Sequence, residues 1–369
     1  MTTAACDDLI TVLRTDLPGR AVDPGSGWPA VLDLAAEHRL LPGLWAGLRS
    51  RGIRTLPDAL TTTAEQGRSP LALLQGAYEK NESRVESVLT QSERTIAGLA
   101  DAGIEATPIK GAHWLLAGWL PDPAARTTID VDLLVGPADA DRAQGALLAA
   151  GYGRVHSSLD EWADHQLPAL VEGNGEVAVE LHVAPLLSIH AAVITGEEIV
   201  AAAEPATIAG RTGRVPSATD AITLLIAHAQ LQDFTHRFRR PPLRALADLA
   251  QLSRAGRLDG VDWDRVQARF DRADEHDSLA GFAVAAAQWF DIGLPVDQRG
   301  GDRWVAACRR ALDSPRWTTR YERRGMVTLT LGAARMDRLY GSHGAWDRTG
   351  ARLRHLARGL RQRSRVPPT

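Results

Sequence analysis

Two aspartates interrupt an apolar segment of the chain, IDVDLLV, at residues 129–135. The segment has the composition of a buried strand, and side chains two residues apart on a strand point to the same face. Asp130 and Asp132 therefore share one face, while Val131 and Leu133 occupy the face that can enter a core. Adjacent carboxylates repel each other and resist ionisation unless a cation offsets their charge. The pattern favours a site for a hard divalent cation such as Mg²⁺ or Mn²⁺, which prefers carboxylate oxygens.

A third carboxylate lies in a second apolar segment, VAVELHV, at residues 177–183. Glu180 is in the middle of this predicted strand, and His182 shares its face. An unpaired buried charge is very costly, which favours a shared cation for the three acids. The alternative is that Asp130 and Asp132 lie at an exposed strand end, where water solvates them. We predict that Asp130, Asp132 and Glu180 are the catalytic and metal-binding residues.

Lys110 and Gly111 lie between a predicted strand at 104–109 and a predicted helix at 111–120. Glycine lets the backbone approach a phosphate closely, and the start of a helix presents free N–H donors. Lys110 can add a full positive charge toward a triphosphate. Arg126, four residues before Asp130, is a further candidate phosphate ligand, and its alternative is an ordinary surface arginine.

Arg244 and Asp248 are four residues apart on a predicted helix. One interpretation is a surface ion pair between them, which would contribute only a few tenths of a kcal/mol, on the order of 0.3. The other is that this helix folds over a bound nucleotide and Arg244 contacts it. We include Arg244 and His182 among the predicted nucleotide-binding residues, with Lys110, Gly111 and Arg126. His165 is more typical of a structural histidine that satisfies a backbone carbonyl.

The helices and strands that must position these residues fall into regions that differ in their sequence pattern. Helical periodicity fills residues 1–100, with a break expected at Pro42-Gly43 and a long helix from about 70 to 102 closed by Gly103. Short apolar strands alternate with helices over 101–200, and 165–183 predicts a hairpin with its turn at 173–175. Helices return at about 217. We predict an α+β protein with an N-terminal helical region (1–100), a core (101–200), a C-terminal helical domain (201–300) and a basic helical tail (301–369).

Composition limits the class of protein. The chain has 369 residues, 44% of them hydrophobic, which suffices for two or three domains. It has no apolar run of the roughly 18 residues that span a membrane, and its first residues lack the pattern of a secretory signal. Two cysteines, Cys6 and Cys308, favour a reducing cytoplasm over a disulfide framework.

Charge is distributed unevenly along the chain. Residues 301–369 hold 16 arginines and 5 acidic residues, whereas the whole chain has a net charge of −3. Leucines share one face of the segment RLRHLARGLRQRSR (352–365), so this tail could bind RNA electrostatically or dock on the acidic body of the protein. Lysine occurs only at Lys80 and Lys110, since the chain uses arginine elsewhere.

The order of these motifs resembles the uncharacterised nucleotidyltransferase family of the polymerase-β superfamily. The likeness rests on Lys110-Gly111, on R-x-x-x-D-x-D-L-L-V from Arg126, and on E-L-H from Glu180 to His182. It also includes Gly151-Tyr152 and H-x-L-P from His165 to Pro168. Looser matches in the flanking helices extend it over residues 28 to 295; they are Trp28, Asn81, His228, Arg244, Asp248 and Asp262-Trp263. The chain departs from the wider superfamily in having Lys-Gly where Gly-Ser is usual, and a longer gap from Gly111 to Asp130.

The resemblance implies a nucleotidyltransferase fold, a small mixed sheet with helices packed on it. It also implies transfer of a nucleoside monophosphate (NMP) from a nucleoside triphosphate (NTP), first of all ATP, to an acceptor, with Mg²⁺ or Mn²⁺ as the cofactor. Two ions at Asp130, Asp132 and Glu180 would serve the acceptor hydroxyl and the triphosphate. Family members occur near genes for modified peptide natural products, which points to a small-molecule, peptide or protein acceptor. The alternatives are a toxin-like transferase acting on tRNA and a non-catalytic nucleotide-binding module.

Overall fold

A computed structural model of the chain describes residues 2–14, 27–53, 70–155, 164–173, 175–208 and 210–331. The predicted leucine face of the basic tail, at 352–365, lies outside these residues, and so does Asn174 of the predicted hairpin turn. The helices are α1 Thr3–Leu13, α2 Trp28–Glu37, α3 Leu41–Ser50, α4 Pro70–Asp101, α5 Lys110–Leu116, α6 Ala140–Ala149, α7 Gly196–Ala202, α8 Ala218–Ala227, α9 Thr235–Phe238, α10 Leu243–Arg254, α11 Trp263–Arg272, α12 His276–Phe290, α13 Gly301–Asp313 and α14 Pro315–Leu331.

Five strands form one mixed sheet in the order β1-β2-β5-β4-β3. Their bounds are β1 Ala106–Pro108, β2 Asp130–Val135, β3 Tyr152–Arg154, β4 Leu170–Glu172 and β5 Ala178–His182. The central pair, β2 and β5, is parallel, and the remaining pairs are antiparallel. The fold is therefore α+β, as predicted, with a small mixed sheet among many packed helices.

One face of the central strand pair is sealed by the core. Val131, Leu133, Val179 and Leu181 alternate with the polar positions of β2 and β5 and are almost wholly buried. The apolar residues of these strands join a continuous core that extends from α1 to α13. The opposite face of the pair carries the acidic side chains, because strand residues alternate between faces. The division of the chain at residues 100, 200 and 300 stays a prediction.

The long helix α4 ends as the sequence indicates. Gly103 has φ +68°, and the amides of Gly103 and Ile104 donate to the carbonyls of Ala100 and Leu99. Glycine adopts this left-handed backbone without the steric cost that other residues bear, so it closes the helix. The predicted hairpin is also present, because β4 and β5 pair antiparallel.

The predicted break at Pro42-Gly43 was misplaced. Helix α2 ends at Glu37 and α3 begins at Leu41, so Pro42 lies in the first turn of α3. Proline is tolerated there because the first amides of a helix have no acceptor within it. The chain reverses at Arg39, whose φ is +57°. A two-stranded hairpin of β6 Glu204–Ile208 and β7 Arg211–Val215, and one π-helical turn at His228–Gln232, were not predicted.

Candidate functional site

The register of the parallel pair brings the predicted acids to one face. Asp132 lies directly opposite Glu180, and Asp130 lies opposite Ala178. Asp130 and Glu180 are half-buried, whereas Asp132 is 3% exposed. Side chains at paired positions on one face of a sheet are immediate neighbours. The structure therefore places Asp130, Asp132 and Glu180 together at the centre of the sheet.

Asp132 is the centre of a hydrogen-bonded cluster. Lys110 Nζ and His182 Nε2 both lie 2.8 Å from Asp132 Oδ1. His182 Nε2 is also 3.7 Å from Glu180 Oε2, and Lys110 Nζ is 3.5 Å from His182 Nε2. Ligand atoms of Asp132, Glu180 and His182 all lie within 4.8 Å of one another, so these three residues could hold a metal ion.

The charges of the two aspartates are balanced unequally. Burial opposes ionisation of Asp132, but the Lys110 ammonium and the hydrogen bond from His182 hold the pKa of this carboxyl well below its usual range. Burial raises the pKa of Asp130 to about 6, and the charges of Asp132 and Glu180 add to the effect although Lys110 and Arg244 oppose it. Despite its burial, Lys110 has a raised pKa because Asp132 faces it. The site therefore holds Asp132 ionised and opposes ionisation of Asp130.

Lys110 adopts an unusual backbone conformation at the start of α5, with φ +51°. A non-glycine residue in this left-handed region costs on the order of 1–3 kcal/mol, and such strain concentrates at functional sites. The strain is localised at the residue whose side chain bridges α5 to β2. The neighbouring Gly111 has a steric role in the structure, and its approach to a phosphate stays a prediction. A Cβ at Gly111 would lie 2.6 Å from Arg126 Nη1, so glycine makes room for that guanidinium.

Arg126 is buried, with its guanidinium 4.7 Å from the centre of the Trp114 ring. Its Nε donates to Asp248 Oδ2 at 3.1 Å, and its Nη1 donates to Thr128 Oγ1 at 2.7 Å. The interpretation of Arg126 as an ordinary surface arginine is therefore wrong. Its role toward a phosphate stays a prediction.

The predicted surface ion pair between Arg244 and Asp248 is also wrong. Asp248 is 4% exposed and pairs with Arg126, because α10 turns this aspartate toward the segment that precedes β2. Arg244 instead donates from Nη2 to the carbonyl of Thr127 at 2.8 Å. Burial and the nearby Arg126 lower the pKa of Arg244. The guanidinium groups of Arg126, which is buried, and Arg244, which is half-buried, thus lie near each other, and the charges of Asp248 and Asp130 both act on Arg244.

A cavity of about 470 Å³ opens beside the acidic face. Lys110, Asp130 and Asp132 line one side of it, and Arg244 and Asp248 of α10 line another. Gly111 and Arg126 also contribute to its wall, whereas Glu180 and His182 are not among the described residues that line it. His182 is fully buried behind Asp132, so it holds this aspartate and does not face the cavity.

Arg39 and Arg240 line the cavity and were not among the predicted residues. The Arg39 side chain makes no hydrogen bond or ion pair within the described part of the chain, and its backbone has the strained φ noted above. Neither arginine could be predicted as a cavity residue, because both lie in connections between helices, where the sequence has no periodic pattern that would indicate which way a side chain points. A second cavity of about 450 Å³ shares Arg39, Arg126 and Arg244 as a common wall.

The remaining predicted histidine is structural in its contacts. The backbone carbonyl of His165 accepts hydrogen bonds from the amides of Val183 and Ala184, and its Nε2 lies 2.7 Å from Gln232 Nε2. Its ring is 5.4 Å from that of His182. Its packing therefore supports the position of His182 behind Asp132.

A family model described as "Uncharacterised nucleotidyltransferase" matches residues 24–291. The chain belongs to this nucleotidyltransferase family. The match confirms the resemblance and includes every predicted site residue, from Lys110 to Arg244. The basic region 301–369 lies outside the match. No curated protein matches the chain. Among its described helices, none has both the length and the apolar content needed to cross a bilayer.

Proposed function

We propose that the protein transfers an NMP from an NTP, first of all ATP, to a hydroxyl or similar group of a small-molecule, peptide or protein acceptor. The observation that carries the proposal is the pairing of Asp132 with Glu180 across the parallel strands, beside a cavity whose wall includes Lys110 and four arginines. The cavity volume lies within the range of about 300–1,000 Å³ typical of small-ligand sites. Membership of the nucleotidyltransferase family supports the reaction class.

The donor set fits a divalent cation such as Mg²⁺ or Mn²⁺. Three carboxylates share one face, and burial together with the charges of Asp132 and Glu180 raises the pKa of Asp130, so a cation bound beside it would favour its ionised form. Asp130, Asp132 and Glu180 would hold the metal. When bound, a divalent cation supplies Lewis acidity that eases deprotonation of the acceptor and offsets charge on the phosphates.

In the proposed reaction, an acceptor oxygen forms a bond to the α-phosphorus of the NTP. The bond from this phosphorus to the oxygen bridging the α- and β-phosphates breaks, pyrophosphate leaves with the electron pair, and the acceptor proton passes to water. Lys110, Arg39, Arg240 and Arg244 provide positive charge along the cavity wall. Fixed charges that are already oriented stabilise developing negative charge with little reorganisation. His182 orients Asp132 through the bond to its Oδ1.

The decisive assay measures pyrophosphate release from each of the four NTPs with Mg²⁺ or Mn²⁺, using cell extract as the source of acceptor. We expect release that depends on the metal and is abolished in Asp130→Asn. Asp141→Asn, an exposed aspartate in the first turn of α6, is the matched control and should retain full activity. Absence of release from every NTP, or near wild-type turnover by Asp130→Asn, would refute the proposal.

Treatment of the extract identifies the class of acceptor. A small molecule should survive passage through a low-molecular-weight filter, a peptide or protein should be lost on protease digestion, and an RNA should be lost on ribonuclease digestion. Loss with ribonuclease alone would replace the proposed acceptor class by RNA. The nucleotidyl-transfer chemistry itself would still stand in that case.

A further inference from the structure

The ammonium group of Lys110 already lies among the side chains that could hold a metal ion. Its Nζ is 2.8 Å from Asp132 Oδ1 and 3.5 Å from His182 Nε2. Asp130 and Glu180 also lie close enough to act on its charge. The group formed by Asp132, Glu180 and His182 thus has a covalently attached cation beside it, supplied by the chain itself.

The two oxygens of Asp132 have different surroundings. Lys110 and His182 both approach Oδ1, and Oδ2 has no hydrogen-bond partner among the described residues. Asp132 can therefore keep both contacts at Oδ1 while Oδ2 accepts a further ligand. Lys110 does not have to leave Asp132 for a metal to bind.

The position of the cavity shows where that metal would enter. Asp130 and Asp132 line the cavity with Lys110, whereas Glu180 and His182 are not part of its described lining. Of the three carboxylates, those of Asp130 and Asp132 therefore belong to the described wall of the cavity, beside Lys110. The inner position, between Asp132, Glu180 and His182, is the one that Lys110 faces.

The charges of the cluster agree with a metal ion at the cavity and Lys110 at the inner position. Three carboxylates and one ammonium leave two negative charges, which one divalent cation neutralises. A lysine suits the inner position because its ammonium is compact, whereas the planar guanidinium of arginine needs more room. The chain has only two lysines, and one of them is held at this position by a strained backbone.

We propose that Lys110 is a permanent cation of the catalytic site, so that the site binds one divalent ion and not two. The inference rests on the proposed function and specifies its metal requirement. This narrows the proposed metal ligands from three carboxylates to two: the single ion is held by Asp130 and Asp132, while Lys110 provides the second positive charge beside Asp132 and Glu180. This charge does not depend on the concentration of free metal.

The test counts Mn²⁺ ions bound per full-length chain by electron paramagnetic resonance, with and without α,β-methylene-ATP, which blocks transfer at the α-phosphate. We expect one magnetically isolated Mn²⁺ in the wild type and in Lys110→Arg. Lys110→Met removes the charge and opens the inner position, so we expect two Mn²⁺ ions whose signals are coupled. Lys80→Met changes the other lysine, which is exposed on α4, and should bind one ion.

Circular dichroism checks that each variant folds. If Lys110→Met does not fold, Lys110→Gln takes its place with the same expectation, because its amide can still donate to Asp132. Two coupled ions in the wild type, or a single ion in both the wild type and the uncharged variant, would overturn the inference and leave the proposed function intact. No bound Mn²⁺ in the wild type under either condition would refute the proposed function as well.

Discussion

The buried ion pair between Arg126 and Asp248 should contribute to both stability and nucleotide binding. The two side chains are almost fully buried and join the segment before β2 to α10, at a separation of 122 positions in sequence. Asp248→Ala would remove the carboxylate that pairs with Arg126 and leave its guanidinium near that of Arg244. Two unit charges about 4 Å apart interact by about 4 kcal/mol at an effective dielectric constant of about 20.

The expected loss is somewhat smaller than this Coulomb energy. Removing one partner of a buried pair typically costs about 3–5 kcal/mol. Arg126 would keep its bond to Thr128 and its contact with the Trp114 ring, which favours the lower end of that range. We therefore expect Asp248→Ala to reduce the free energy of unfolding by about 3 kcal/mol. The melting temperature should fall by roughly 6 °C, at about 2 °C per kcal/mol for a large domain.

The assay compares melting temperatures and the affinity for α,β-methylene-ATP with Mn²⁺. The matched control is Asp220→Ala, which breaks the buried pair between Asp220 and Arg269, where the Oδ1 to Nη2 distance is 2.6 Å. Asp220 is not a described lining residue of the cavity, so its loss should lower stability without a direct change in affinity. Asp248→Ala should change both quantities.

A double variant separates the two sources of the effect. Arg126→Met with Asp248→Leu removes both charges, and replacing a buried pair by apolar residues is often close to neutral. We expect the double variant to recover most of the stability lost in Asp248→Ala. A loss of less than about 1 kcal/mol in Asp248→Ala, roughly a third of the expected value, or an equally unstable double variant, would show that breaking the pair does not leave an uncompensated buried charge.

Three further perturbations test the neighbourhood of the site. Gly111→Ala should destabilise the fold by about 1–3 kcal/mol in thermal denaturation, because its Cβ would meet Arg126, whereas Gly145→Ala in open space on α6 should not. His113 is buried with its pKa lowered to about 3, so only the unfolded chain takes up its proton between pH 6.5 and 3. As the pH is lowered from 6.5 to 3, the free energy of unfolding should therefore decrease by about 1.4 kcal/mol per pH unit for this group, with no change above pH 6.5. In urea denaturation, His113→Leu should show a smaller dependence of this free energy on pH. Asn81→Leu removes two donations to carbonyl groups of the loop before β2, at 2.7 and 2.8 Å, and should lower both the melting temperature and the affinity for the nucleotide analogue; an unchanged affinity would mean that this loop does not position the cavity wall.

The sheet and its acidic face were predictable because their signals are local. The alternation of Asp130 and Asp132 with Val131 and Leu133 identifies both the strand and the faces of its side chains. The convergence of these aspartates with Glu180 was inferred from the resemblance and from the cost of burying single charges. The structure shows the pairing of Asp132 with Glu180 directly.

Other features depend on contacts between distant parts of the chain. Arg126 and Asp248 are far apart in sequence, so the local four-residue spacing of Arg244 and Asp248 suggested the wrong partner. The β6–β7 hairpin escaped prediction because most of its residues are exposed and give no apolar alternation. The contact between Lys110 and Asp132 depends on a left-handed backbone at a lysine, for which residue type gives no signal.

The parallel register of β2 and β5 limits how relatives of this chain can differ in length. Adding or deleting one residue within β2 would turn both aspartates toward the side now filled by Val131 and Leu133, since successive strand residues alternate between faces. Insertions and deletions should therefore accumulate in the connections before Asp130 and after Val135, while the six-residue strand keeps a constant length. The long spacing between Gly111 and Asp130 shows that the preceding connection has room for such variation.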